Sequence, residues 1–112
     1  MKTMTVLRAA QCCGGRLCGE NIDENAPLGS VIIDSRRVQP GDLFVAYRGE
    51  RLDGHDYIAA ALDRGAACCL AERVPEEEKR AVIVVNDVQA ALEAICAEYR
   101  AEHDIPVIGI TG

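Results

Sequence analysis

Apolar residues follow two different spacings along the chain, and these spacings predict helices alternating with strands. Helical spacing predicts three helices: one capped by Thr5 that runs to about Cys13, one over residues 56–64, and one that starts at Asn86 or Asp87 and ends near Glu102. Short β-branched or apolar runs predict strands at residues 16–18, 30–34, 43–46, 67–70, 81–85 and 107–110.

This order of elements predicts an α/β fold, a small mixed sheet flanked by helices. The run at 81–85 is apolar throughout, which is typical of a strand buried on both faces. Pro40 and Gly41 predict a tight turn between two strands. The full length of 112 residues is that of one domain.

Composition and charge narrow the range of partners. The chain is 49% hydrophobic and carries a net charge of −6, which argues against nonspecific binding to nucleic acid or to an anionic membrane. The N-terminus has no signal-peptide pattern, and no run approaches the roughly 20 apolar residues of a membrane span. We therefore expect a cytoplasmic protein.

The six cysteines do not predict a metal site or a disulfide framework. They are Cys12, Cys13, Cys18, Cys68, Cys69 and Cys96. Two vicinal pairs are poor spacing for tetrahedral zinc, and disulfides are rare without secretion. The second pair lies in an apolar stretch and is expected to be buried as small hydrophobic residues.

The first candidate site segment follows the strand at 30–34. Ser35 offers a hydroxyl donor and acceptor, and Arg36 offers a planar set of donors suited to a phosphate or a carboxylate. Ligands often bind where strands of α/β sheets end. A plain polar turn before Pro40 is an equal alternative.

The second candidate segment, residues 49–57, has two glycines five positions apart that would let the backbone approach a ligand. Asp53 or Asp56 can cap the next helix, and we favour a capping role for Asp56. His55 has no evident nucleophile partner, so no catalytic residue is predicted. The acidic run Glu76–Glu78 is interpreted as a solvated surface turn.

The C-terminal residues resemble a strand that leads into a phosphate-binding loop. The apolar run at 107–110 is followed by Thr111 and Gly112, without a Gly-Lys-Ser/Thr sequence. We expect the front part of a nucleotide-using enzyme, although a strand end with a turn would have the same residues.

Several of these segments together resemble one family. Residues 34–46, residues 49–58, the triplet Gly65-Ala66-Ala67 and residues 105–112 resemble, in order and spacing, the N-terminal domain of the Mur ligases. The likeness covers about residues 30–112 and is loose before them.

The resemblance implies a three-domain enzyme that uses ATP and Mg²⁺ to activate a carboxylate as an acyl phosphate and then forms an amide. Residues 1–104 would be the N-terminal domain that binds the UDP end of a UDP-N-acetylmuramoyl-peptide. Residues 105–112 would begin the central ATPase domain, so this chain alone would be inactive and bind no cofactor.

By the same resemblance, the UDP contacts would come from Ile33, Ser35, Arg36, Glu50, Arg51 and Leu52, with Asp53, Gly54 and His55 shaping the loop. Thr111 and Gly112 would begin the ATP loop. The short link at 104–106 favours the type that adds D-alanyl-D-alanine to UDP-N-acetylmuramoyl-tripeptide, MurF. The alternatives are MurE, which adds the third amino acid to the dipeptide substrate, and a stand-alone UDP-sugar binding module.

Overall fold

The computed structural model describes residues 4–47 and 53–103, which form three α-helices and five strands. The helices are α1 (Val6–Cys13), α2 (Ile58–Asp63) and α3 (Val88–His103), and the strands are β1 (Arg16–Cys18), β2 (Val31–Ile32), β3 (Leu43–Val45), β4 (Cys68–Ala71) and β5 (Val82–Val84). Two 3₁₀ helices, Ser35–Arg37 and Gly54–Tyr57, follow β2 and β3. The predicted strand at 107–110 lies outside the described residues.

The five strands form one mixed sheet in the order β1-β5-β4-β3-β2. Strands β2, β3, β4 and β5 run parallel to one another, and β1 pairs antiparallel with β5. The predicted α/β fold with a mixed sheet is therefore confirmed. Parallel strands need cover on both faces, which explains why β4 and β5 are apolar almost throughout.

Helices cover the two faces of the sheet and create two apolar clusters. Leu70 and Ile83 belong to the cluster beneath α1 and α3, whereas Cys69 and Val82 belong to the cluster beneath α2. Successive side chains of a strand point to opposite faces, so each of the strands β2 to β5 contributes to both clusters. Cys68 and Cys69 are fully buried, as predicted from their apolar surroundings.

Local capping groups fix the ends of α1 and α3 where the sequence predicts them. The Thr5 side chain accepts a hydrogen bond from the Arg8 N–H, and Gly14 ends α1 with a left-handed φ of 69°. The carboxylate of Asp87 accepts a hydrogen bond from the Ala90 N–H at 3.2 Å, which caps α3.

The predicted cap of the second helix is wrong. Helix α2 begins at Ile58 without a side-chain cap, and Asp56 lies inside the preceding 3₁₀ helix. Asp53 caps that 3₁₀ helix by accepting the His55 N–H. The helical segment starts at Gly54, two residues upstream of Asp56, so the preceding aspartate, Asp53, becomes the cap.

A buried aspartate holds the turn between β2 and β3. Asp42 is 7% exposed, and its two carboxylate oxygens accept the N–H groups of Ser30 and Gln39, each at 3.0 Å. Gly41, at φ 91°, takes the left-handed position that the Pro-Gly pair predicts. Asp42 thereby satisfies two backbone donors that the turn leaves without partners in the sheet.

The acidic run after β4 is solvated only in part. Glu76 and Glu77 are exposed, but the Glu78 side chain is 6% exposed and pairs with Arg80 at 3.0 Å. Arg80 also bonds to Asp63 at 2.8 Å. The prediction of a solvated turn is wrong for Glu78, because it pairs with Arg80, which in turn ties the β4–β5 connection to α2 through Asp63. This pairing lowers the pKa of Glu78.

Two further observations concern the described part of the chain as a whole. None of its helices combines the length and the apolar character that crossing a membrane requires. The six cysteines all lie in this part, and none of them forms a disulfide.

Candidate nucleotide-binding groove

A groove opens at the sheet edge where β2 and β3 end. It has a volume of about 470 Å³ and is lined by Ile33, Asp34, Ser35, Arg36, Phe44, Tyr47, Gly54 and Tyr57. The first four residues follow β2, and the last three follow β3. The groove thus lies at the carboxyl ends of two neighbouring parallel strands, where α/β sheets commonly bind ligands.

Aromatic residues dominate the apolar part of the groove. The chain has one phenylalanine, three tyrosines and no tryptophan, and Phe44, Tyr47 and Tyr57 all line this groove. Phe44 is 1% exposed, whereas Tyr47 and Tyr57 are 41% and 37% exposed. Two tyrosines with this residue exposure can offer ring faces on which a flat ligand ring stacks.

The first wall of the groove is an aspartate-capped 3₁₀ helix. Asp34 Oδ1 accepts the Arg36 N–H at 3.0 Å and starts the turn. The Arg36 guanidinium then bonds back to the same carboxylate through Nε at 3.1 Å and Nη2 at 3.0 Å. These hydrogen bonds to Arg36 hold the pKa of Asp34 below its usual value.

Arg36 remains available at the rim despite this pair. Its side chain is 87% exposed, and the pair with Asp34 engages Nε and Nη2 but not Nη1. An exposed ion pair of this kind contributes little stability. An anionic ligand could therefore take over the Arg36 donors at small cost.

The second wall depends on a glycine that touches the end of β3. The Gly54 N–H donates to the Tyr47 carbonyl at 2.9 Å. A Cβ at position 54 would lie 2.7 Å from the Tyr47 nitrogen, far inside normal contact. Only glycine at position 54 allows the 3₁₀ helix that carries Tyr57 to pack this closely against Tyr47, the other exposed tyrosine.

Asp53 and His55 lie behind this wall and do not line the groove. Asp53 Oδ1 accepts the His55 N–H at 3.0 Å and lies 2.6 Å from the ring Nδ1. Arg73 Nη2 donates to the other oxygen at 3.2 Å. The bonds from the His55 backbone and then from its ring hold the pKa of Asp53 far below its usual value.

The structure thus brings together part of the predicted site. Ile33, Ser35, Arg36 and Gly54 line the groove, whereas Asp53 and His55 contact each other and do not line it. The predicted Glu50, Arg51 and Leu52, and the predicted ATP-loop residues Thr111 and Gly112, lie outside the described residues. The binding roles of all the predicted site residues stay predictions.

Sequence reasoning missed the aromatic walls. Tyr47 and Tyr57 were assigned no binding role, although the scarcity of aromatic residues was a signal. Three of the four aromatic residues sit within 14 positions of each other, between residues 44 and 57, and this clustering points to a shared surface.

Comparison with known proteins decides the family. Residues 28–107 match the family described as "Mur ligase family, catalytic domain". This match covers well over half of the chain. The chain belongs to the Mur ligase family.

Two kinds of curated Mur ligase are similar to the chain. It is 38% identical over 94 residues to the UDP-N-acetylmuramoyl-tripeptide–D-alanyl-D-alanine ligase of Synechocystis sp., covering 82% of this chain and 21% of that relative. It is 37% identical over 94 residues to the UDP-N-acetylmuramoyl-L-alanyl-D-glutamate–2,6-diaminopimelate ligase of Bacteroides thetaiotaomicron, covering 80% and 20% respectively.

Solved Mur ligase structures share the fold. MurF from Acinetobacter baumannii superposes with a TM-score of 0.76 at 28% identity, over 91% of this chain and 22% of that one. MurF from Thermotoga maritima in complex with ADP gives 0.60 at 34% identity, over 65% and 17%. The predicted Mur ligase domain similar to MurF is confirmed, and the chain spans about a fifth of the length of the curated relatives it matches.

Proposed function

We propose that this Mur ligase domain binds the UDP end of a UDP-N-acetylmuramoyl-peptide in its aromatic groove, as part of an ATP-dependent ligase of peptidoglycan precursor synthesis. The observation that carries the proposal is the groove itself. It combines two exposed tyrosine rings with a rim arginine, and its volume of about 470 Å³ lies within the roughly 300–1,000 Å³ typical of small-molecule sites.

The groove has a suitable group for each part of a uridine diphosphate. Tyr47 and Tyr57 offer ring faces to the base, and Ser35 offers a hydroxyl that can donate to or accept from its polar edge. Arg36 at the rim can exchange its bond with Asp34 for a charge-assisted bond to a phosphate. Asp34 would then face the ribose hydroxyls or the solvent, because a carboxylate beside a diphosphate is repulsive.

Within the family, we propose the MurF activity, the addition of D-alanyl-D-alanine to UDP-N-acetylmuramoyl-tripeptide. Curated relatives with this name match the chain from two organisms, Synechocystis sp. and Bacillus subtilis. Relatives named as 2,6-diaminopimelate ligases match almost as well, so the MurE activity is the second candidate. An assay of the whole enzyme with each pair of substrates distinguishes them by which pair supports ATP hydrolysis.

The remaining parts of the proposal concern the whole enzyme. ATP and Mg²⁺ would bind in a central domain that begins near residue 105, with Thr111 and Gly112 at the start of its loop. Residues 1–104 would form the substrate-binding domain, which would not catalyse the reaction by itself. We further propose that the enzyme acts in the cytoplasm, without nucleic acid or membrane as a partner.

An NMR titration tests the groove directly, with uridine, UDP and UDP-N-acetylmuramoyl-tripeptide as separate ligands. We expect shifts in residues 33–36, in Tyr47 and in residues 54–57. Replacing Tyr57 with leucine should weaken uridine binding by about tenfold, because loss of one stacking partner costs about 1–3 kcal/mol. Arg16→Gln, on the far edge strand β1, is the matched control and should leave binding unchanged.

A second variant distinguishes contacts with the base from contacts with the phosphates. Arg36→Gln should weaken UDP binding but leave uridine binding unchanged, because only UDP carries the anionic group. Ligand-induced shifts away from the groove, or equal affinities of Tyr57→Leu and the wild-type chain, would contradict the proposal.

A further inference from the structure

The second wall of the groove is tied to the interior by a buried histidine. The His55 side chain is 2% exposed, and both of its ring nitrogens have partners. Nδ1 lies 2.6 Å from Asp53 Oδ1, and Nε2 accepts the Glu72 backbone N–H at 2.9 Å. Glu72 directly follows β4, so the ring bridges the start of one 3₁₀ helix and the end of a central strand.

These two partners define the tautomer of the ring. The Glu72 backbone nitrogen can only donate, so Nε2 must carry the lone pair. The ring hydrogen is therefore on Nδ1 and donates to the Asp53 carboxylate. The His55 ring therefore links an acceptor, Asp53 Oδ1, to a donor, the Glu72 N–H.

The anchor at Glu72 is itself fixed. The Glu72 carboxylate Oε2 accepts the Val88 N–H at the start of α3 at 3.3 Å. Its backbone N–H is held by the His55 ring, so the residue is restrained from both sides. The other end of the bridge, Asp53, is restrained by Arg73 at 3.2 Å.

We propose that His55 is a positioning residue that holds Gly54 and Tyr57 against Tyr47, so that the aromatic groove is formed before a ligand binds. Gly54 and Tyr57 flank His55 in one short 3₁₀ helix. Gly54 attaches this helix to the end of β3 through its 2.9 Å bond to Tyr47, and His55 attaches it to the end of β4. Two separate attachments restrain the helix in rotation as well as in position, which a single attachment does not.

Two substitutions separate the halves of the bridge. His55→Gln keeps an acceptor near the position of Nε2 and can still bind the Glu72 N–H. His55→Asn keeps a polar group near the position of Nδ1 and can still donate to Asp53, but it cannot reach Glu72. Ile95→Val is the control, since Ile95 is fully buried in the cluster beneath α1 and α3 and loses stability without contact with the groove.

The first measurement needs no ligand. Nitrogen-15 spectra of the imidazole in the wild-type chain should show Nε2 unprotonated, and amide hydrogen exchange should show Glu72 and Gly54 protected. We expect the Gly54 amide to exchange about tenfold faster in His55→Asn, the equivalent of one lost hydrogen bond. In His55→Gln and Ile95→Val its exchange should stay close to the wild-type rate.

The second measurement is the affinity for UDP, and this part of the inference rests on the proposed function. We expect binding about tenfold weaker in His55→Asn than in Ile95→Val at a temperature where both are folded, because a ligand must then order the wall itself. His55→Gln should recover most of the affinity. A residue that serves stability alone would lower the melting temperature without this difference.

Each possible result either supports or overturns the positioning role of His55 or the proposed function. A protonated Nε2 in the wild-type chain, or unchanged Gly54 exchange in a folded His55→Asn, overturns the positioning role whatever the ligand data show. If His55→Asn does not fold, the wild-type tautomer and His55→Gln decide: a protonated Nε2 in the wild type, or Gly54 exchange about tenfold faster in His55→Gln, overturns the positioning role. No UDP binding by the wild-type chain contradicts the proposed function, whereas equal binding by wild-type and His55→Asn chains contradicts the positioning role alone.

Discussion

Replacing Gly54 with alanine adds one methyl group where the end of β3 leaves no room for it. The new Cβ would lie 2.7 Å from the Tyr47 nitrogen and 2.8 Å from both the Ala46 carbonyl carbon and the Tyr47 oxygen. All three are backbone atoms. Strand β3 is paired on both sides, with β2 and β4, so the 3₁₀ helix that carries Tyr57 must move away from it.

The expected cost follows from three contributions. Overpacking of a well-packed site costs about 1–3 kcal/mol, and loss of the hydrogen bond from Gly54 to Tyr47 costs about 0.5–1.5 kcal/mol. Alanine restricts the unfolded chain more than glycine, which offsets about 0.4–1 kcal/mol. We therefore expect a net destabilisation of about 2 kcal/mol, equivalent to a melting temperature lower by roughly 10 °C.

Urea unfolding measures the stability, and NMR spectra of the two tyrosines report on the groove. Gly41→Ala is the matched control, because a Cβ there meets nothing within 4 Å and the residue has a φ of 91°. It should lose about 1–2 kcal/mol through backbone strain alone and leave the tyrosine resonances in place. A Gly54→Ala variant that is as stable as the wild type, or has unchanged tyrosine resonances, would refute the reasoning.

Three further predictions concern single groups. Asp42→Ala leaves two backbone N–H groups without an acceptor and should lower the unfolding free energy by about 2–4 kcal/mol. Asp42→Asn keeps one acceptor oxygen and should lose less stability in the same urea experiment. Equal losses in the two variants would contradict this prediction. The pKa of Asp53 is lower in the folded chain than in the unfolded chain. Its ionised carboxylate therefore stabilises the fold at pH values above the unfolded pKa of about 3.9, and this stabilisation is lost as the pH falls. The stability difference between wild type and Asp53→Asn should therefore narrow below about pH 4, and a constant difference down to pH 2.5 would exclude this linkage. Burial raises the pKa of Cys68 to about 12 and also raises that of Cys69, so iodoacetamide at pH 8 should label these thiols only after unfolding, as mass spectrometry can show.

The elements were predictable where short-range interactions define them. Thr5, Gly14 and Asp87 end or begin helices through bonds to residues three or four positions away, so the sequence window contains the cause. The order of the strands in the sheet was not predicted, because it depends on pairings between distant residues. The mixed character of the sheet could still be inferred from strands that alternate with helices.

The two errors have different origins, a distant contact for Glu78 and a choice between two local caps for Asp56. Glu78 and Arg80 are close in sequence, but Arg80 is placed by Asp63, 17 positions earlier. This distant partner turns a charged surface run into a partly buried ion pair. Asp56 failed as a cap because the helical segment begins earlier, at the 3₁₀ turn that Asp53 starts.

The candidate site was predictable in its polar residues and not in its aromatic ones. Ser35 and Arg36 carry chemistry that can be recognised from residue type alone. A tyrosine, in contrast, can be packed or exposed with the same sequence neighbours. Tyr47 and Tyr57 become one surface only because Gly54 brings their backbones together, a contact between two residues that are seven positions apart.

The two polar segments of the site contain the same local motif and differ only in their surroundings. In each, an aspartate accepts the backbone N–H of the residue two positions on and also bonds its side chain, Asp34 with Arg36 and Asp53 with His55. Such turns form from local sequence, but the segments were candidates for other reasons: the first follows a strand and carries Ser35 and Arg36, and the second has two glycines five positions apart. The Arg36 side chain is 87% exposed and the His55 side chain 2%. Because of this difference in packing, Arg36 lies at the rim of the groove, where it can meet an anion. His55 is buried and attaches the opposite wall to the interior.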